Sequence, residues 1–290
     1  MSQIRPVETE NLPPCSRNAV SSLIPSPSGL RFVAPHGHPA SLPAYLHSPI
    51  PRRIYGGLID SIAGGGGLIT VPALLATGLP PQLAFGTNKL QSSFGTLIAV
   101  RRYARSGLMA TPGIRTAIGL ALLSGMAGAY AITLLNKELL KQIVPWMLAA
   151  VAVYTALNRR FGLHPGRQRL PYRLFAVTFG LILGFYDGFF GPGTGSFWTI
   201  ALVGLLGLEL RAATGYTKAA NLASNLGSLA IFLAHRSVDF TLGGIMIAGQ
   251  LIGARLGSGL VIRKGANLIR PVFLTVVLAM TLKFLHDAWK

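Results

Sequence analysis

IYGGLIDSIAGGGGLITVPALLAT (54–77) and FAVTFGLILGFYDGFFGPGTGSFWTIALVGL (175–205) are both apolar enough to enter a bilayer. Each carries one acid, Asp60 or Asp187, a few residues before a glycine cluster. Glycine has the most backbone freedom to lose, so such clusters weaken a helix. In lipid the loosened backbone must find partners inside the protein or beside a polar cavity. Two broken, acid-bearing segments in corresponding halves mark the binding site of a secondary transporter.

Composition agrees. The chain of 290 residues is 51% hydrophobic and only 12% charged, against about 25% charged in soluble domains. Apolar runs over 54–77, 82–100, 111–135, 140–157, 174–206, 212–234, 240–258 and 269–285 give about eight segments at some 20 residues per crossing. The fold class expected is an all-α polytopic membrane protein. The long run 174–206 reads as one broken helix or as a helix followed by a re-entrant half. The net charge of +18 does not indicate nucleic acid, because Lys and Arg sit in short loops, as at Arg101, Arg102 and Arg105 or at Arg263-Lys264. Such loops face the anionic leaflet and set orientation. Cys15 has no cysteine partner, and no cofactor, metal or hydrolytic chemistry is indicated.

Four regions follow: a Pro/Ser-rich tail at 1–53, a first membrane repeat at 54–157, a basic loop at 158–173 and a second membrane repeat at 174–290. The tail lacks a signal-peptide core and reads as disordered. It adjoins the first segment abruptly, so the first helix is short or the natural start differs. DSIAGGGG (60–67) matches DGFFGPGT (187–194), and AFGTNKL (84–90) matches ATGYTKA (213–219), which sets Lys89 opposite Lys218. A third match, 124–146 with 248–273, follows in the same order. The halves are a duplication. The positive loop changes place between them, which favours inverted over parallel repeats.

Lys89 and Lys218 lie early in apolar helices and either snorkel to the interface or line a cavity as cationic contacts for an anion. Helix N-termini exposed by the glycine clusters, at Gly66–Ile69 and Gly193–Phe197, would strengthen an anion site. Asp60 and Asp187 either pin the helix breaks or, with pKa values raised by desolvation, carry a proton coupled to transport. Asn88, Gln91, Asn221, Asn225 and Gln250 each need a hydrogen-bond partner. Lys218, Asn221 and Asn225 share one helix face.

The run G-L-I-D-S-I-A-G-G-G-G-L-I-T-V-P-A-L-L-A-T-G (57–78), with A-F-G-T-N-K (84–89), resembles the signature of the TauE/SafE sulfite-exporter family. G-F-Y-D-G-F-F-G-P-G-T-G-S-F (184–197), T-G-Y-T-K-A-A-N (214–221) and G-A-R-L-G (253–257) resemble its second half. The resemblance covers about 54–287. It implies a duplicated permease of the bacterial inner membrane for a small sulfur anion such as sulfite, sulfoacetate or a sulfonate. It places substrate contacts at Gly64, Gly65, Gly66, Gly67, Thr87, Asn88 and Lys89, and at Gly191, Gly193, Thr194, Gly195, Ser196, Thr217, Lys218 and Asn221. Alternating access is the mechanism expected. A passive anion channel, or an intramembrane enzyme using Asp60 and Asp187 together, would leave the same residues in place.

Overall fold

The computed structural model describes residues 60–61, 66–75, 77–136, 167–264 and scattered positions between 138 and 150. The tail 1–53, the first glycines at 64–65, most of 140–157 and the segment 269–285 lie outside the described residues. Among those described, the elements are α1 (Gly66–Leu75), α2 (Pro81–Arg105), α3 (Ile114–Thr133), α4 (Tyr172–Phe189), α5 (Thr194–Leu206), α6 (Leu210–Ala234) and α7 (Phe240–Lys264).

Local sequence explains several ends. Pro81 opens α2, where its missing N–H costs nothing. Gly207, left-handed at φ 66°, closes α5. Two stretches expected as loops are helical. Arg101, Arg102 and Arg105 occupy the last turns of α2, and Arg263 and Lys264 end α7. Cations at a helix C-terminus complement the negative end of its dipole, so the basic residues prolong these helices.

The run 174–206 is two helices. Between α4 and α5 the chain turns at Gly191 and Gly193, with φ of 90° and 84°. That region is closed to most L side chains. After the turn α5 runs back toward the start of α4: the Arg169 N–H donates to the Leu205 carbonyl at 2.8 Å. The pair is a hairpin whose tip is the glycine turn, and α5, with 13 residues, is about 20 Å long.

Contacts fix the directions of the long helices. Along α2 and α6, Lys89 meets Asn225, Gly86 lies against Phe232, and Tyr103 shares a cluster with Leu210. As one number rises the other falls, so α2 and α6 are antiparallel. Along α3 and α4, Gly113 lies against Tyr172 and Gly128 against Phe185, so these two are parallel. Leu122 touches Gly227 and the Tyr130 ring meets His235 at 6.0 Å, which makes α3 parallel to α6. In the same sense Leu90 lies against Gly243 and Arg102 against Gly259, so α2 is parallel to α7.

Two consequences follow. First, the starts of α3, α4 and α6 and the ends of α2 and α7 share one end of the bundle. Among the described residues that end collects Arg102, Arg105, Arg115, Arg173, Arg211 and Arg263, whereas the opposite end has Arg236 and Asp239. Second, the packed interior contrasts with an apolar exterior. On α4, Phe175, Ala176, Gly180 and Gly184 are buried, while Leu174, Leu181, Ile182 and Phe185 are exposed. A soluble protein does not bare such a face; lipid would cover it. Helix α3 and residues 240–263 of α7 are long and apolar enough to cross a membrane.

Candidate functional site

Helices α2 and α6 are central and carry the polar residues inward. Thr87, Asn88, Lys89, Gln91 and Ser92 of α2 are buried, as are Thr217, Lys218, Asn221, Ser224 and Asn225 of α6. Each lysine stands eight residues into a 25-residue helix, about 12 Å from its start. Snorkelling does not describe them. Lys89 and Lys218 are 2% and 1% exposed, and each is held by a carboxylate.

The pairing crosses between the halves. Lys89 Nζ lies 2.9 Å from Asp187 Oδ1, with both side chains nearly closed to solvent. Lys218 Nζ lies 3.3 Å from Asp60 Oδ1. Each lysine therefore joins the acid that belongs to the other half's signature. Charges so deeply placed persist only when paired. No bond among the described residues joins Asp60 to Asp187. Lys89 is level with Asn225, seven residues along α6 from Lys218, so the two pairs are about 10 Å apart along the bundle.

Around Asp187 the bonding is dense. Its Oδ1 accepts from Lys89 Nζ and from the Thr194 hydroxyl at 3.1 Å, and its Oδ2 accepts from the Ser224 hydroxyl. Lys89 also donates to Asn225 Oδ1 at 2.9 Å. Asp187 ends α4 and Thr194 begins α5, so the carboxylate ties the hairpin tip to α6. Asp60 is more loosely held. Gln250 Nε2 donates to its Oδ2 at 3.4 Å, and its side chain rests on Gly66 at the start of α1. The neighbouring Ser61 carbonyl accepts from the Tyr103 hydroxyl at 2.9 Å.

The two half-helices meet at their N-termini. A Cβ placed on Gly67 would come 3.3 Å from Pro192 Cα, so α1 and α5 begin almost in contact. The positive end of each dipole thus faces the interior, while at the α5 tip the Thr194 and Ser196 N–H groups donate to the Gly191 and Gly193 carbonyls at 3.2 and 2.9 Å. Threonine hydroxyls bind α1 and α5 to the long helices. Thr70 donates to Asn88 Oδ1 at 2.5 Å, a group that also accepts from Gln91. Thr199 and Thr217 lie 3.2 Å apart. Ser196 is buried on α5, one turn nearer the tip.

Some expected residues serve elsewhere. The Thr87 hydroxyl accepts the backbone N–H of Asp239 and so fastens α2 to the start of α7. Gly195 accepts the Thr199 hydroxyl through its carbonyl. Gly64 and Gly65 lie outside the described residues. Ser224 and Thr70 were missed in the sequence, although Ser224 stands three residues after Asn221 on the same face and helical spacing could have found it.

The sequence model of the family described as sulfite exporter TauE/SafE matches residues 54–284. A probable membrane transporter protein of Haemophilus influenzae is 41% identical over 229 residues, 79% of this chain and 90% of its own length. The probable membrane transporter protein YfcA of Escherichia coli K12 is 41% identical over 233 residues, covering 80% and 86%. YjnA of Bacillus subtilis, also named a probable membrane transporter protein, is 24% identical over 247 residues, covering 79% and 95%. No solved structure matches.

Proposed function

The chain belongs to the TauE/SafE sulfite exporter family, and we propose that it is a multi-pass secondary transporter of the bacterial inner membrane that moves a small sulfur oxyanion by alternating access. Sulfite, or an organosulfonate of the sulfoacetate type, is the substrate class, as the family's description suggests. The observation that carries this reading is the pair of crossed ion pairs at two depths, with the two half-helix tips meeting between them.

The halves are inverted repeats in this reading. Equivalent helices α2 and α6 run antiparallel, and exchanging the halves turns Lys89–Asp187 into Lys218–Asp60. The same exchange turns the parallel packing of α3 on α6 into that of α7 on α2. A two-fold axis in the membrane plane relates such halves. The basic end is then cytoplasmic, and a cleft of about 240 Å³ there, lined by Arg102, Arg105 and Arg263, draws anions toward the pore. The anion rests between the tips of α1 and α5, where the positive ends of the two helix dipoles meet it. Opening one ion pair while the other stays closed exposes that place to one side at a time.

Flux by purified protein in liposomes tests the proposal, with sulfite, sulfoacetate, sulfate, acetate and chloride compared with and without a pH gradient. Saturable flux of one sulfur oxyanion is expected. A response to the gradient would assign Asp60 or Asp187 a coupled proton. Unsaturable flux across the whole panel would replace the transporter with a passive anion channel.

A further inference from the structure

The two ion pairs are related by the exchange of halves, yet their surroundings differ. At the first pair, Lys89 Nζ and both carboxylate oxygens of Asp187 have hydrogen-bond partners. Lys89 has two acceptors at 2.9 Å, and both oxygens of Asp187 accept. At the other pair, among the described residues, Lys218 Nζ has only the 3.3 Å approach of Asp60 and makes no hydrogen bond of good geometry. Ser196 Oγ and Asn221 Oδ1 are also buried without a partner. All three side chains are more than nine-tenths buried.

These three groups are neighbours by position. Asn221 follows Lys218 by three residues on α6, on one face. The contact of Thr199 with Thr217 sets α5 antiparallel against α6, which brings Ser196 level with Asn221. Of the other buried donors without a hydrogen bond among the described residues, Arg211 Nε lies 3.7 Å from Glu209, and Trp198 Nε1 and Tyr216 Oη belong to the aromatic cluster with Phe175 on the other side of α6. Buried groups left unbonded are costly, and native structures keep few. An ammonium, a hydroxyl and an amide that can turn its NH₂ inward form a cluster of donors next to the tips of α1 and α5.

We propose that Lys218, Ser196 and Asn221 are the anion anchor, and that Lys89–Asp187 is a latch that closes the opposite side without touching the anion. This deepens the transport reading and rests on it. The ligand is a compact oxyanion, a sulfite or the head group of an alkyl sulfonate, with several oxygens to receive the three donors at once. On binding, its oxygens receive the unused donors of the Lys218 ammonium, which keeps Asp60 beside it, together with the Ser196 hydroxyl and the Asn221 amide.

The test separates binding from flux. Titration calorimetry of the purified full chain would use sulfite and methanesulfonate as probes, on the wild type and on two charge-neutral pairs, Lys218→Met/Asp60→Asn and Lys89→Met/Asp187→Asn. The first is expected to bind about tenfold to a hundredfold more weakly, the loss of one hydrogen bond to a charged group. The second is expected to bind within about threefold of wild type yet to lose saturable flux in liposomes. Ser196→Ala and Asn221→Ala, which leave both ion pairs intact, are each expected to weaken binding about tenfold. Equal weakening by both neutral pairs, or unchanged binding in Ser196→Ala and Asn221→Ala, would overturn the assignment. Wild-type protein that neither binds nor moves either probe would overturn the transport reading itself.

Discussion

Replacing Lys89 with Met strands Asp187 in a site where its side chain is 6% exposed. Two hydroxyls, from Thr194 and Ser224, still donate to it, but its countercharge is gone. Removing one partner of a buried pair costs about 3–5 kcal/mol. Adding Asp187→Asn removes the stranded charge and leaves a neutral amide, so the double variant should lose only about 1–2 kcal/mol, the cost of imperfect hydrogen bonds. Adding Asp60→Asn instead should give no such rescue. It strands Lys218 as well, and the attraction between the two stranded charges about 10 Å apart returns only about 1–2 kcal/mol at an effective dielectric of 20. Thermal unfolding in detergent, followed by the fraction remaining monodisperse, reads the order directly: wild type, then Lys89→Met/Asp187→Asn, then Lys89→Met, then Lys89→Met/Asp60→Asn. Rescue of Lys89→Met by Asp60→Asn, or no rescue by Asp187→Asn, would refute the crossed pairing.

Other outcomes follow from the same geometry. In a Cys15→Ser background, Gly67→Cys with Pro192→Cys should form a disulfide, because a Cβ on Gly67 comes 3.3 Å from Pro192 Cα. Flux should stop on oxidation and return on reduction; free thiols under oxidant would mean that the tips are apart. Gly193→Leu places a branched side chain at φ 84°, a strain of about 1–3 kcal/mol, and should abolish flux while leaving membrane insertion intact. Normal flux would remove the α5 tip from the pathway. His235→Cys, at the end of the bundle opposite the arginine cluster, should react with an impermeant maleimide on whole cells, and Arg105→Cys should not. The reverse pattern would invert the topology.

How much was legible in the sequence depended on the range of the interaction. Asp60, Asp187 and the two lysines stood out locally, since a charge in an apolar run always demands a partner. The two sets of matching landmarks were visible because they recur in the same order. Which acid pairs with which lysine was not visible, because each lysine sits nearer in sequence to the acid of its own half and nothing local forbids that pairing. The choice is made by the antiparallel packing of α2 on α6, which sets Lys89 level with Asn225 and beside the α4–α5 tip. Helix ends were misread for a similar reason. Arg101 to Arg105 looked like a loop because charge was taken to end the membrane run, whereas the helix dipole lets α2 continue through them.

The charge balance of the interior decides what can hold an anion there. Two lysines and two aspartates sum to zero, so a neutral core by itself offers an anion no net attraction. Each half-helix tip adds about half a positive charge. At 4–5 Å and an effective dielectric near 20, one such tip is worth about 2 kcal/mol to a monovalent anion, and two tips about 4. That corresponds to a dissociation constant near the millimolar range, weak enough for rapid release but short of useful selectivity. The unmade hydrogen bonds of Lys218, Ser196 and Asn221 supply the difference. On this reasoning, loss of those groups leaves weak, unselective binding at the tips, and loss of the tips leaves donors with no field to draw the anion in. Ser196→Ala should therefore narrow the preference for sulfite over chloride more than it lowers maximal flux, and an unchanged preference in a competition flux assay would place selectivity elsewhere.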